Sequence, residues 1–158
     1  MIVHAFLDAQ NIHQAVRQQG WQYDFRKLRI YLRDKYGVDE AFFFIGMVPR
    51  NRRLYQLIQQ AGYTLMFKEV AVMQTGEIKG NVDVNLTLHA ATTLSDYDEA
   101  VLVSADGDFS PLVQYWQDHD KFRAILSPAT QSRTSKFLKR DAAGRIDFMS
   151  EIRGKIER

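Results

Sequence analysis

The sequence predicts an α/β domain of three layers, a mainly parallel sheet with helices on both faces. Three observations lead there. Apolar runs of strand length alternate with amphipathic helical stretches along all 158 residues, the pattern that strand–helix–strand units produce. The runs are almost continuously apolar rather than alternating, as strands covered on both faces are. The length suits one domain, residues 1–158, able to bury roughly 68–70% of its unfolded surface without staples, and cysteine is absent.

The elements follow in order. Ile2 to Leu7 is a short apolar strand, and Asn11 is placed to cap a helix running to about Gln18. Phe25 to Tyr36 carries apolar residues at 25, 28, 32 and 36 and stops at Gly37, an amphipathic helix. Ala41 to Val48 is a buried strand, Arg50 to Ala61 a helix ending at Gly62, and Tyr63 to Phe67 a strand. Glu69 to Lys79 is a polar connection turning at Gly76 and Gly80. Asn81 to Leu94 is a long helix with Val84, Leu88 and Ala91 along its apolar side. Glu99 to Val103 is a strand, Ser104 to Asp108 a turn, Phe109 to Trp116 a helix and Phe122 to Leu126 a strand. Thr134 to Leu138 is the core of a helix, Arg145 to Met149 a short strand, and a terminal helix carries Ile152 and Ile156.

Composition excludes several classes. Hydrophobic residues are 46% and charged residues 25%, so the chain is neither disordered nor fibrous. Without cysteine there is no disulfide, thiolate zinc site or cysteine nucleophile. The longest apolar run, Ala41 to Val48, falls far short of the ~20 residues of a membrane span, and the amino terminus has no basic leader segment. A cytoplasmic protein is expected.

The net charge of +2 hides an uneven distribution. Gly80 to Asp120 has no Lys or Arg against eight acids, whereas Lys121 to Arg158 has ten basic residues against four acidic. An acidic centre between basic flanks can meet a polyanion only if cations cover the acids or the acids face elsewhere.

Familiar motifs are missing: no phosphate-binding glycine loop, no G-x-S-x-G and no H-E-x-x-H. A calcium loop starting at Asp106 would need glycine where Pro111 stands. What remains is a set of carboxylates at the edge where such sheets bind ligands. Asp8 ends the first strand, Asp106 and Asp108 follow a later one, and Asp83 lies in the first turn of the long helix. Each alone has a plain explanation: a turn, a helix cap, or an answer to the helix dipole. Together they would repel unless protonated or holding a divalent cation, and donors of oxygen only suit Mg²⁺ or Mn²⁺.

Three segments carry a resemblance. Phe6-Leu7-Asp8-Ala9-Gln10-Asn11, Lys79-Gly80-Asn81-Val82-Asp83-Val84 and Ser104-Ala105-Asp106-Gly107-Asp108-Phe109 are similar, in order and spacing, to the motifs of the NYN domain family, a branch of the PIN-like nucleases. The resemblance spans nearly the whole chain. It implies a Rossmann-like, PIN-type domain with a metal-dependent ribonuclease centre. It makes Asp8, Asp83, Asp106 and Asp108 the metal-binding acids, Asn11 and Ser104 their polar support, and Lys79 a flanking residue. Two departures stand out: Ala105 replaces a usual glycine, and His89 replaces an aspartate that many members carry six residues after the helical one. Six residues turn a helix 600°, so His89 lies about 120° from Asp83 and reads as a supporting or surface group.

The expected activity is therefore hydrolysis of RNA phosphodiester bonds with Mg²⁺ or Mn²⁺, Asn11 orienting a carboxylate or a water. RNA is expected along basic rims, Arg50, Arg52 and Arg53 on one side and Arg133, Lys136, Lys139 and Arg140 on the other. Either cluster alone is equally a solvated helix face. The alternative is a non-catalytic module binding RNA or protein on the same fold. No membrane partner is expected, a homo-oligomer stays open, and Phe42-Phe43-Phe44 reads as core rather than interface.

Overall fold

The computed structural model describes residues 1–47, 51–69, 71–72, 74, 78–79 and 82–158, with the backbone alone at 47, 69, 71–72 and 78–79. The chain runs β1 (Val3–Asp8), α1 (Ala9–Gln18), α2 (Phe25–Tyr36), β2 (Glu40–Met47), α3 (Arg52–Gln60), β3 (Thr64–Glu69), β4 (Ala71–Val72), β5 (Ile78–Lys79) and α4 (Asp83–Thr92). It continues with β6 (Glu99–Val103), α5 (Ser110–Asp118), β7 (Phe122–Ser127), α6 (Lys136–Ala142), β8 (Ile146–Phe148) and α7 (Arg153–Ile156). Short 3₁₀ turns at Leu94–Asp96, Gly107–Phe109 and Met149–Ile152 join some of these.

Six strands form one sheet in the order β3-β2-β1-β6-β7-β8, every pair parallel. The chain starts in the middle, builds outward to β3, then returns to β6 on the other side of β1. That return makes the β1–β6 seam the switch point of a doubly wound sheet, where a crevice opens beyond the carboxyl ends of the strands. The expected Rossmann-like, PIN-type three-layer fold is present.

Strand pleating divides the core in two. Ala5, Leu7, Phe43, Val101, Val103 and Leu126 point to one face, where Ile12, Val16, Leu28, Leu32, Ile58 and Ile156 cover them from α1, α2, α3 and α7. Phe6, Phe44, Leu102 and Ile125 point to the other, beneath Leu86, Ala90, Leu112, Val113, Trp116 and Leu138 of α4, α5 and α6. Residues that alternate faces along one strand are all buried, which explains the continuous apolar runs. Burying each large side chain contributes about 1.5–3 kcal/mol, so both layers are needed.

Local signals fix the helix ends. The Asp24 carboxylate caps α2 by accepting from the Lys27 N–H at 2.9 Å, and Gly37 ends it at φ 72°, a left-handed angle that glycine adopts without strain.

Several expectations are corrected. The cap of α1 is Asp8, whose carboxylate accepts from the Asn11 N–H at 3.3 Å; Asn11 is already inside the helix. Helix α4 buries Leu86 and Ala90, with its N-cap Val82, leaving Val84 70% and Leu88 61% exposed, so its apolar side is not the one expected. The turn-to-turn spacing fits either set, and packing on β1 decides. The connection after β3 contains an antiparallel pair, Ala71↔Lys79 and Val72↔Ile78; Gly76, Gly80 and Asn81 lie outside the described residues. Thr134 is not helical: its hydroxyl donates to the Thr130 carbonyl at 2.8 Å and bonds Ser127 Oγ at 2.6 Å, and Ser135 caps α6. Among the described residues no helix is long and apolar enough to cross a membrane.

Candidate metal centre

The parallel register puts Leu7 beside Val103, so Asp8 and Ser104 leave β1 and β6 as neighbours at the switch point. Asn11, one turn into α1, ties the two exits together. Its Oδ1 accepts from the Ala105 N–H at 2.8 Å and from the Ser104 hydroxyl at 3.3 Å, while Ser104 Oγ accepts from the Asp106 N–H at 3.1 Å. This short chain of hydrogen bonds holds Asp106 at a fixed height above the sheet edge. Asp106 in turn caps the 3₁₀ turn by accepting from the Asp108 N–H at 2.9 Å.

Asp83 arrives from the other face as the first residue of α4. Its helix is pinned by a buried relay in which Trp116 Nε1 donates to the Tyr97 hydroxyl at 2.9 Å, and that hydroxyl donates to the Ala90 carbonyl at 2.6 Å. Asp8, Asp83 and Asp106 each present a carboxylate oxygen, and these atoms lie within 4.8 Å of one another. Three loops or helix starts, distant in sequence, thus converge on one point.

The electrostatics follow from that convergence. Asp8 is only 3% exposed, and its carboxyl is raised from 3.8 to about 7. Burial is the main cause; the Asn11 N–H opposes it, and the charges of Asp83 and Asp106 with a hydrogen bond shared with Asp83 add to it. Three clustered carboxylates in so little water are matched by a shared proton or by a cation. Their oxygens are hard donors, and the residues present fit Mg²⁺ or Mn²⁺.

The other expected residues are placed as follows. Asp108 is exposed and lies outside the group of three, on the solvent side of the same turn. Ser104 is buried and acts through the hydrogen bonds above. The backbone of Lys79 pairs in β5, and its side chain is outside the described residues, as is Arg50. His89 stands apart from the acids, packed against Phe42 at 5.0 Å, Phe44 at 5.7 Å and Phe6 at 6.2 Å between ring centres. Burial holds its pKa below 6.5, with the charge of His4 adding to that and Asp96 opposing it.

The described residues of both basic clusters follow the carboxyl ends of strands, α3 after β2 and α6 after β7. Arg52, Arg53, Arg133, Lys136 and Arg140 are exposed, and Lys139 is half-buried with its ammonium donating to the Gln131 carbonyl at 2.8 Å. Arg133 donates to Gln18 Oε1 at 3.4 Å. Arg140 pairs with Asp141 at 3.0 Å, a surface pair of little energetic weight.

Ser135, expected inside a helix, instead supports the acidic turn. The Ser135 N–H donates to the Ala105 carbonyl at 3.2 Å, docking the start of α6 on the acidic turn. The approach is so close that a Cβ on Gly107 would sit 3.2 Å from Ser135 Cβ and against its hydroxyl. Gly107→Ala is therefore expected to destabilise the fold by about 1–2 kcal/mol, by overpacking. Thermal melting checks this, and an unchanged midpoint would show that α6 moves away freely.

Comparison with known proteins gives a consistent picture. The model of the NYN domain matches residues 3–149. Low amplitude and bright protein LabA of Synechococcus elongatus is 26% identical over 163 residues, covering 97% of this chain and 86% of its own. The crystal structure of a Vibrio parahaemolyticus protein of unknown function superposes with a TM-score of 0.75 at 25% identity, covering 94% of this chain and 93% of the other.

Proposed function

The chain belongs to the NYN domain family, and from that premise we propose that it is a metal-dependent ribonuclease hydrolysing RNA phosphodiester bonds. The observation that carries this reading is the meeting of Asp8, Asp83 and Asp106 at the switch point, with oxygens within 4.8 Å of one another. These three would hold one or two Mg²⁺ or Mn²⁺ ions. A bound ion supplies Lewis acidity at the phosphate and makes a water nucleophilic near neutral pH.

The chain's own residues do the rest. Asn11 and Ser104 keep the Asp106 turn in register with Asp8, so the donor set needs little rearrangement on loading. Asp108, on the solvent side of the turn, stands where substrate and water arrive and completes the acidic site from outside. Arg52, Arg53, Lys136 and Lys139 supply cations to the phosphates on either side, as does Arg133, which gives affinity without reading sequence. Lys79, which the family motif puts beside the acids in sequence, would add a flanking cation.

The test is cleavage of labelled RNA in Mg²⁺ and in Mn²⁺ with a chelator control. Cleavage that requires the ion supports the reading, and its absence under every ion overturns it. A second reading, a module that binds RNA or protein without cutting, draws on the exposed position of Asp108 and on His89 in place of a further helical acid; chelator-insensitive binding without cleavage would establish it. For the rim, Arg52→Gln with Arg53→Gln is expected to lower the salt slope of single-strand RNA binding by about 1.4, the share of two phosphate contacts. A slope that does not move would remove both arginines from the binding path.

A further inference from the structure

We propose that Phe137 is a stacking platform for an unpaired nucleobase of the substrate strand. The inference rests on the nuclease reading above and goes beyond it by naming a residue that seats a base beside the acidic turn.

Phe137 belongs to neither hydrophobic core. The core contacts of α6 are made by Leu138 and Ala142, both fully buried, while Phe137 is 58% exposed. Its position is not arbitrary either. The ring lies against the acid-bearing turn, because a Cβ on Gly107, between Asp106 and Asp108, would be 3.6 Å from Phe137 Cδ2. The backbone bond from Ser135 to Ala105 fixes the start of α6 on that turn, two residues before the ring. The guanidinium of Arg140 sits over the ring, 5.2 Å from its centre, and Lys136 is exposed beside it.

With Arg140 over one face and the ring 58% exposed, the remaining face is where a base can stack, and the guanidinium is within reach of its phosphate. Every base offers a π-face, so the platform tolerates sequence. It does not tolerate pairing: in a duplex both faces of a base are already stacked on neighbours, and only a splayed base can reach a protein ring. A base seated on Phe137 leaves its backbone over the Asp106–Asp108 turn, where the carboxylates converge. Arg140 is then positioned to exchange its weak surface contact with Asp141 for an RNA phosphate.

The test compares initial rates of Mn²⁺-dependent cleavage on a short single-stranded oligoadenylate and on the same strand with an abasic site at the preferred cleavage position. Phe137→Ala is expected to raise KM on the intact strand by about tenfold, the size of one base–aromatic stack, with kcat, the thermal midpoint and the heat of Mn²⁺ binding unchanged. Phe137→Trp restores KM, Phe137→Leu does not, and the abasic strand shows no difference among the variants. If the wild-type protein cleaves RNA while Phe137→Ala keeps its KM, the stacking proposal is wrong and the nuclease reading stands. Full rescue by Phe137→Leu also overturns it, since apolar contact without a π-face would then suffice. If the wild-type protein cleaves no RNA, both fall together.

Discussion

Asp106→Asn is expected to leave a folded protein whose Mn²⁺-dependent RNA cleavage, on the proposed reading, is slower on the order of 10³-fold. The size follows from the several kcal/mol of charge stabilisation a correctly held cation gives, at 1.36 kcal/mol for each tenfold. Asn is the sharp replacement here. It keeps an oxygen able to accept from the Asp108 N–H, so the turn and the cap survive while the negative charge does not. Loss confined to KM would point instead to a group that only binds substrate. Activity within twofold of wild type would remove Asp106 from the chemistry.

Asp8→Asn should do the opposite to stability of what it does to activity. The Asp8 carboxyl is raised from 3.8 to about 7, so the folded state holds a proton that the unfolded chain has released. The stability this gives is complete below about pH 4 and is lost as pH rises through about 7. A fully ionised Asp8 therefore costs the metal-free fold as much as about 4 kcal/mol. Asn caps a helix as well as Asp does, and with the loss of the proton shared with Asp83 a net gain of about 2 kcal/mol at pH 8 is expected, near 5 °C in midpoint. The gain should vanish at pH 4. Comparing variant with wild type at each pH cancels the opposing titrations of His13 and His89, whose pKa values burial lowers. With Mn²⁺ present the order inverts, because only the wild type gains from binding. An equal shift at both pH values would mean that the burden lies in packing rather than charge.

The sheet was readable from sequence because its strands are apolar on both faces, and the acidic cluster because Asp8 ends one strand and Asp106 follows another that shares its edge. Asp8 and Asp106 could be placed that way before any helix was docked. The face of α4 could not. Val82, Val84, Leu86, Leu88, Ala90 and Ala91 surround it with apolar side chains, and period alone does not choose among them; contact with Phe6 and Phe44 does. Asn11 was legible as a polar residue at a helix start, but Asp8 is equally suited to cap and lies where β1 ends. The two-residue strands β4 and β5 are too short to show a period. Phe137 has the composition of a core residue, and only the docking of α6 on Gly107 puts its ring outside. Asp108 sits one residue past a glycine beside Asp106, which made the pair look alike; the 3₁₀ turn sends one carboxylate inward and leaves the other in solvent.

Calorimetric titration of Mn²⁺ into the protein at pH 8 decides most directly whether Asp8, Asp83 and Asp106 are a cation site. The expected result is a saturable heat in the wild type that disappears in Asp106→Asn with the fold preserved. No saturable heat in the wild type, or the same heat in the variant, would contradict it.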